Sequence, residues 1–228
     1  MLLFLTTFAS AQEVTVSARI SPVRGTKSAH SQAQNVVIWL TPTGGQSPLI
    51  APANAPKPRL IQQNKRFTPH LLVVPVGSVV EFPNRDPFFH NVFSLFEGKR
   101  FDLGLYEAGT TRDVHFDKPG ISYIFCNIHA EMSAVVIALE TPFFGVSNQR
   151  GEIVISHVPV GHYTLRIWDE VAMPETLNAM TREITVSEDT STLGVFRLPE
   201  ITSPRTHKNK YGRDYDPPTP DTPVYARP

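Results

Sequence analysis

Between Pro58 and Glu140 the chain is a succession of short apolar runs cut by turn residues, and this rhythm decides the fold class. LLVV (71–74) and VVEF (79–82) flank Pro75-Val76-Gly77. NVFS (91–94), FDLGLY (101–106) and DVHF (113–116) follow. Lys118-Pro119-Gly120 then leads into ISYIFC (121–126), and SAVVIALE (133–140) closes the series. Proline and glycine set the backbone of such reversals. Strands at this spacing pack as a β-sandwich or barrel. Upstream, Val14, Val16, Ala18 and Ile20 alternate with polar residues, which predicts a strand with one buried face. VVIWL (36–40) predicts a more continuously buried one. Beyond Thr141-Pro142, GEIVI (151–155), YTLRIW (163–168), REITV (182–186) and LGVFRL (193–198) predict further strands, with a turn at Val158-Pro159-Val160-Gly161. Only MPETLNAM (173–180) suggests a helical turn or two. With 21 prolines and little helical periodicity, the chain is expected to be all-β.

The organisation expected from composition has five parts. Residues 1–11 read as a secretion signal: MLLFLTTFASAQ is a short apolar run ending at the small-residue pattern Ala9-Ser10-Ala11, although without a basic start. Residues 12–56 hold two strands and a linker rich in Pro, Gly and Ala at 42–58. Residues 57–140 form a first sandwich and 141–198 a smaller one, which strands from 13–41 can complete; 58–140 would then be an insertion within a split sandwich. Residues 199–228, with seven prolines and little to bury, are expected to be disordered. The signal-like start predicts that the mature chain is exported, to the periplasm or beyond, and no run is long enough to span a bilayer.

Charge excludes several functions. Lys plus Arg and Asp plus Glu both number 21, so there is no electrostatic footprint for nucleic acid or an anionic membrane. No Gly-rich phosphate loop, G-x-S-x-G elbow or H-E-x-x-H is present. Asp86, Asp102, Glu107 and Asp113 suggest no paired carboxylates, and the His-x-His pairs of multicopper oxidases are absent. An enzyme is not expected.

The chemistry concentrates in CNIHAEM (126–132), which holds the single cysteine of the chain. An exported protein would ordinarily pair its cysteines. Cys126 is therefore an inert buried thiol, half of an intermolecular disulfide, or a metal thiolate. His129 and Met132 follow it at three-residue steps, on a short loop between two strands, where three side chains can aim at one point. A thiolate, an imidazole and a thioether lack one histidine of a blue-copper set, two His and a Cys with a weak axial Met. NRDPFFHNVFS (84–94) supplies it best: His90 lies where a loop enters a strand, among phenylalanines, and Asn91 beside it can hydrogen-bond across to the cysteine loop. His70 and His115 compete for the place but read as ordinary histidines. Zinc is the rival metal, and a methionine ligand disfavours it.

On these residues, FTPHLLVVPVGSVVEFPNRD with HNVFS and then CNIHAEM, the segment 57–140 resembles the cupredoxins, in particular the plastocyanin and amicyanin group. The whole layout is similar to exported bacterial proteins of the methylamine-utilisation type. RGEIVISHVPVGHYTLRIW more weakly resembles carboxypeptidase-regulatory-like sandwiches. The resemblance implies a Greek-key β-sandwich with one type 1 copper held by His90, Cys126 and His129, with Met132 axial. Asn91 would brace the site, with Asn127 standing where that family usually has Ser or Thr. It further implies transfer of single electrons to and from a redox partner, a dehydrogenase or a cytochrome, with His129 as the exposed exit and acid protonation of His129 as a switch. The alternatives are copper trafficking or storage without redox turnover, and a binding module that uses the C-terminal sandwich.

Overall fold

The computed structural model describes residues 12–23, 33–44, 56–95, 97–199 and 207–215. The expected signal at 1–11, residues 45–55 of the linker expected at 42–58, and residues 200–206 and 216–228 of the expected disordered tail lie outside them. In chain order the strands are β1 Glu13–Val23, β2 Val37–Pro42, β3 Ile61–Gln63, β4 Arg66–Thr68, β5 Leu71–Pro75, β6 Ser78–Pro83, β7 His90–Ser94 and β8 Phe101–Tyr106. There follow β9 Thr111–Phe116, β10 Gly120–Cys126, β11 Ser133–Leu139, β12 Phe144–Val146, β13 Glu152–Pro159, β14 Gly161–Trp168, the helix α1 Pro174–Ala179, β15 Arg182–Val186 and β16 Thr192–Pro199. The all-β expectation holds, with α1 as its one short exception among the described residues.

These elements fall into two units. The first lies within Met1–Pro48 and Thr141–Pro204. Its sheets run β13-β1-β16 and β12-β2-β14-β15. β1 pairs antiparallel with β13 and parallel with β16, and β2 lies between β12 and β14. The alternation along β1 buries Val16, Ala18 and Ile20 beside Ile38, Leu40, Ile153, Leu165 and Phe196. Each of the Val, Ile, Leu and Phe side chains among them contributes roughly 1.5–3 kcal/mol on leaving water.

The second unit lies within Leu49–Glu140 and Arg205–Pro228. Its five-stranded sheet runs β5-β11-β10-β7-β8, beside the pairs β6–β9 and β3–β4. Val80 and Phe82 of β6 and Val114 and Phe116 of β9 share one core with Val92, Ile124 and Val136 of the larger sheet. β11, central in the sheet between β5 and β10, is buried on both faces: Ala134, Val136 and Ala138 join the core cluster, and Val135, Ile137 and Leu139 are buried on the other face, which matches the unbroken apolar run SAVVIAL. β10 instead alternates, burying Ser122, Ile124 and Cys126.

Two features differ from the sequence reading. The hairpin of β3 and β4 was not legible, because its strands are polar and its turn, Asn64-Lys65, has φ of 55° and 54° at both residues. Asparagine tolerates that conformation, while lysine needs support. The carboxylate of Asp86 supplies it, accepting the backbone N–H of Asn64 at 2.6 Å and of Lys65 at 3.0 Å. The second difference concerns the tail. Residues 207–215, expected to be disordered, belong to the second unit, and the His207 ring stacks on Phe125 with centroids 4.1 Å apart. The proline count hid the aromatic side chains that give this stretch something to pack.

Candidate metal centre

Strand periodicity builds the site. On β10 every second side chain points inward, so Cys126 ends a buried row. The antiparallel register sets Cys126 opposite Val92 and Phe125 opposite Phe93. Two residues before Val92, on the same face, β7 begins with His90. The loop from Asn127 to Met132 then returns the chain into β11. Cys126 N–H donates to the Met132 carbonyl at 3.2 Å, and Met132 N–H donates to the His129 carbonyl at 3.1 Å. Asn127 N–H reaches the Asn91 carbonyl at 2.8 Å, tying the loop to β7.

This folding brings three donors together. Nδ1 of His90 is 3.6 Å and Nδ1 of His129 is 3.5 Å from the Cys126 sulfur. The three ligand atoms all lie within 4.8 Å of one another, and no other such group occurs among the described residues. Cys126 is a free cysteine. Cys126 and His90 are fully buried and His129 is half-buried. Met132 is fully buried and shares the core cluster of Cys126. His70 contacts the Ser133 carbonyl instead, and His115 is exposed on β9, so neither joins the group.

The environment favours neutral imidazoles. His90 donates from Nε2 to Asp86 at 2.8 Å, which leaves Nδ1 unprotonated and facing the sulfur. Burial disfavours the charge on Asp86, yet the Lys65 N–H, His90 and the Asn64 N–H hold its carboxyl below the usual range. Burial lowers the His90 pKa despite Asp86. Burial, with His90 beside it, pushes His129 down to about 4. The Cys126 thiol is pushed up by burial, against backbone N–H groups of Ile128, Asn91 and His129 that favour the thiolate. Phe88 packs on both imidazoles, with centroids 5.4 Å from His90 and 5.6 Å from His129. A soft thiolate and two neutral imidazole nitrogens, two of the three side chains fully buried, fit a copper ion.

Asn91 and Asn127 each follow a residue of the group, and their side chains bond outward. The side chain of Asn91 was expected to cross to the cysteine loop. It donates instead to Asp102 at 2.7 Å, a charged acceptor that is the stronger partner, and Asn91 meets the cysteine loop through its backbone, the carbonyl accepting from Asn127 and the N–H facing the Cys126 sulfur. The Asn127 side chain accepts from the Lys210 N–H at 2.9 Å. In the sequence alone Asp86 and Asp102 show no carboxylate partner and no link to the cysteine loop. The signal for Asp86 was its spacing, four residues before His90, after an asparagine. Asn84 Oδ1 accepts the Asp86 N–H at 3.0 Å and Asn84 Nδ2 donates to the Phe88 carbonyl at 2.8 Å, a turn that swings the carboxylate beneath the imidazole.

No family model matches the chain, and no curated protein matches it. Among solved structures, a purple cupredoxin from Nitrosopumilus maritimus is 22% identical, with a TM-score of 0.33 over 36% of this chain and 99% of that one. A copper-containing nitrite reductase from Thermus scotoductus is 23% identical, with a TM-score of 0.36 over 53% of this chain and 28% of that one. A reduced tryptophan-to-tyrosine mutant of amicyanin is 19% identical, with a TM-score of 0.35 over 45% of this chain and 98% of that one. These are partial likenesses at low identity, and the chemistry of the site stands on its own residues.

Proposed function

We propose that the second unit is a cupredoxin domain and that the chain is an exported blue copper protein that carries single electrons. The observation that carries this reading is the convergence of two imidazole Nδ1 atoms on one buried thiol. His90, Cys126 and His129 would hold copper, with Met132, buried in the same cluster as Cys126, as a weaker sulfur ligand; when bound, the ion supplies one-electron redox chemistry.

The chain's own residues prepare the site for that task. Asp86 fixes the tautomer and orientation of His90. Phe88 packs edge-on or tilted against both imidazoles and lends them an apolar neighbour. The loop bonds from Cys126 to Met132 and from Asn127 to Asn91 hold the sulfur in place whether or not the metal is present. Half-buried His129 lies nearest to solvent of the three and is the exit for the electron, toward a redox partner such as a dehydrogenase or a cytochrome. Export to the periplasm suits such a carrier, and no helix among the described residues is long and apolar enough to cross a membrane.

Addition of Cu(II) should give a strong thiolate-to-copper absorption band, absent in Cys126→Ser. A colourless wild type fully loaded with copper would sink the reading. Voltammetry then separates carrier from store: a reversible one-electron wave is expected, and its absence would favour copper handling without redox turnover.

A further inference from the structure

We infer that residues 207–215 form a clasp on the cysteine loop, and that Tyr215, Lys210 and Asp102 are positioning residues for the copper site. This rests on the copper reading above. The segment is shaped by its own turn: Asn209 Oδ1 accepts the N–H groups of Tyr211 and Arg213 at 3.0 and 3.1 Å, and Asn209 N–H donates to the Arg213 carbonyl at 2.9 Å. The turn ends at Gly212, whose φ of 71° suits glycine.

Two sets of contacts join it to the site. Tyr215 donates its hydroxyl to the Cys126 carbonyl at 2.7 Å, and the same hydroxyl lies 3.3 Å from Nδ1 of His207, whose ring stacks on Phe125. Lys210 donates its backbone N–H to Asn127 Oδ1 and its ammonium to Asp102 Oδ2 at 2.8 Å. The other oxygen of Asp102 accepts from Asn91 Nδ2 and from the Gly104 N–H at 2.9 Å.

A closed ring of bonds results. It runs from Asn91 to Asp102, to Lys210, to Asn127, and back through the Asn127 N–H to the Asn91 carbonyl. Asn91 follows His90 and Asn127 follows Cys126, so the ring fixes the spacing of the two buried donors from outside the pocket. The Tyr215 bond restrains the peptide that carries Cys126 itself. The direction of the sulfur follows the backbone torsions of that residue, and a bond to its carbonyl narrows them.

The test compares Tyr215→Phe, Lys210→Ala and Lys210→Arg with the wild type. Copper release to an excess of chelator should be about fivefold faster in Tyr215→Phe and Lys210→Ala, the effect of one hydrogen bond of about 1 kcal/mol. The thiolate band should shift in Lys210→Ala and return in Lys210→Arg. In the metal-free protein, amide exchange across 127–132 should quicken about fivefold in Tyr215→Phe. If the wild type shows the band but release, band position and exchange are unchanged in the variants, the clasp is overturned and the copper site stands. A wild type that takes up no copper overturns the copper reading and the positioning role with it.

Discussion

The two units share an all-β construction and differ in what they bury. Among the described residues of the first unit, the buried polar side chains are Thr141 and Ser147, each on a backbone partner: Thr141 donates to the Leu40 carbonyl at 2.7 Å, and Ser147 accepts the Val36 N–H at 2.8 Å. The second unit buries Gln62, Asn84, Asp86, His90, Asn91, Ser94 and Ser122. Burying a polar group is unfavourable unless it is hydrogen-bonded. Around His90 that condition is met by a connected set: Asn84 shapes the turn, Asp86 joins the β3–β4 hairpin to the imidazole, and Asn91 reaches Asp102. An interior of this kind is chemically equipped, whereas that of the first unit is packed.

The largest effects should come from the packed interiors, and they can break the comparison. Leu165→Ala in the first unit should cost about 2–5 kcal/mol and Phe82→Ala in the second about 3–5 kcal/mol. Both tryptophans, Trp39 and Trp168, lie in the first unit, on β2 and β14. Tryptophan fluorescence therefore follows the first unit and the thiolate-copper band the second. Leu165→Ala should lower the fluorescence melt and leave the band of the folded protein unchanged. Loss of the band in that variant while the fluorescence stays native would show that the division between packing and chemistry is wrong.

Acid should sharpen the contrast. Both imidazoles are held below the ordinary 6.5 by burial, His129 at about 4. Protons therefore bind the unfolded chain first. The stability linked to these groups is fully present above about pH 6.5 and is lost as pH falls toward 4. The lowered carboxyls of Asp86 and Asp102 extend the loss below about 3.8. In the metal-free protein, amides of β7 and β10 should open as the pH falls from about 7 to about 5, beyond the intrinsic change in exchange rate, while tryptophan fluorescence stays flat. Equal opening in both units would remove the assignment to the imidazoles.

Legibility follows the same division. Where a strand is read by its own period, the sequence sufficed. The alternation of Val16, Ala18 and Ile20, the run SAVVIAL and the spacing of Cys126 from His129 all depend on local geometry. Where the conformation depends on a group far away in the chain, the sequence was silent. The Asn64-Lys65 turn is held by Asp86, and the segment 207–215, itself free of proline within a proline-rich tail, is ordered by Asn127, Asp102 and Phe125, none of which its own residues reveal. The expected contact of the Asn91 side chain was misdirected for the same reason, since Asp102 arrives from β8 through sheet pairing at Phe93.

Asp86→Asn isolates the element of the second unit that has no counterpart in the described part of the first. The variant keeps the size of the side chain and removes the charge that receives Nε2–H of His90 and two backbone N–H groups. Loss of a hydrogen bond to a charged group costs about 1.5–3 kcal/mol. Less negative charge beside the site disfavours Cu(II) relative to Cu(I), so the reduction potential should rise. An unchanged or lower potential would mean that Asp86 serves the hairpin alone.

The smallest effect belongs to a bond of similar geometry in the packed unit. Tyr163 donates its hydroxyl to the Pro159 carbonyl at 2.7 Å, across the tight reversal between β13 and β14. Like Tyr215, it restrains a strand end through a carbonyl. Unlike Tyr215, it lies four residues from its partner, and the peptide it restrains carries no ligand. Tyr163→Phe should therefore cost about 1 kcal/mol, read by tryptophan fluorescence, and leave the copper band and copper release at wild-type values. Tyr215→Phe should do the reverse, with little change in fluorescence and faster release. If the two substitutions moved the same signals, the tyrosine bonds would be general supports of the chain, and the distinction between the units would reduce to packing.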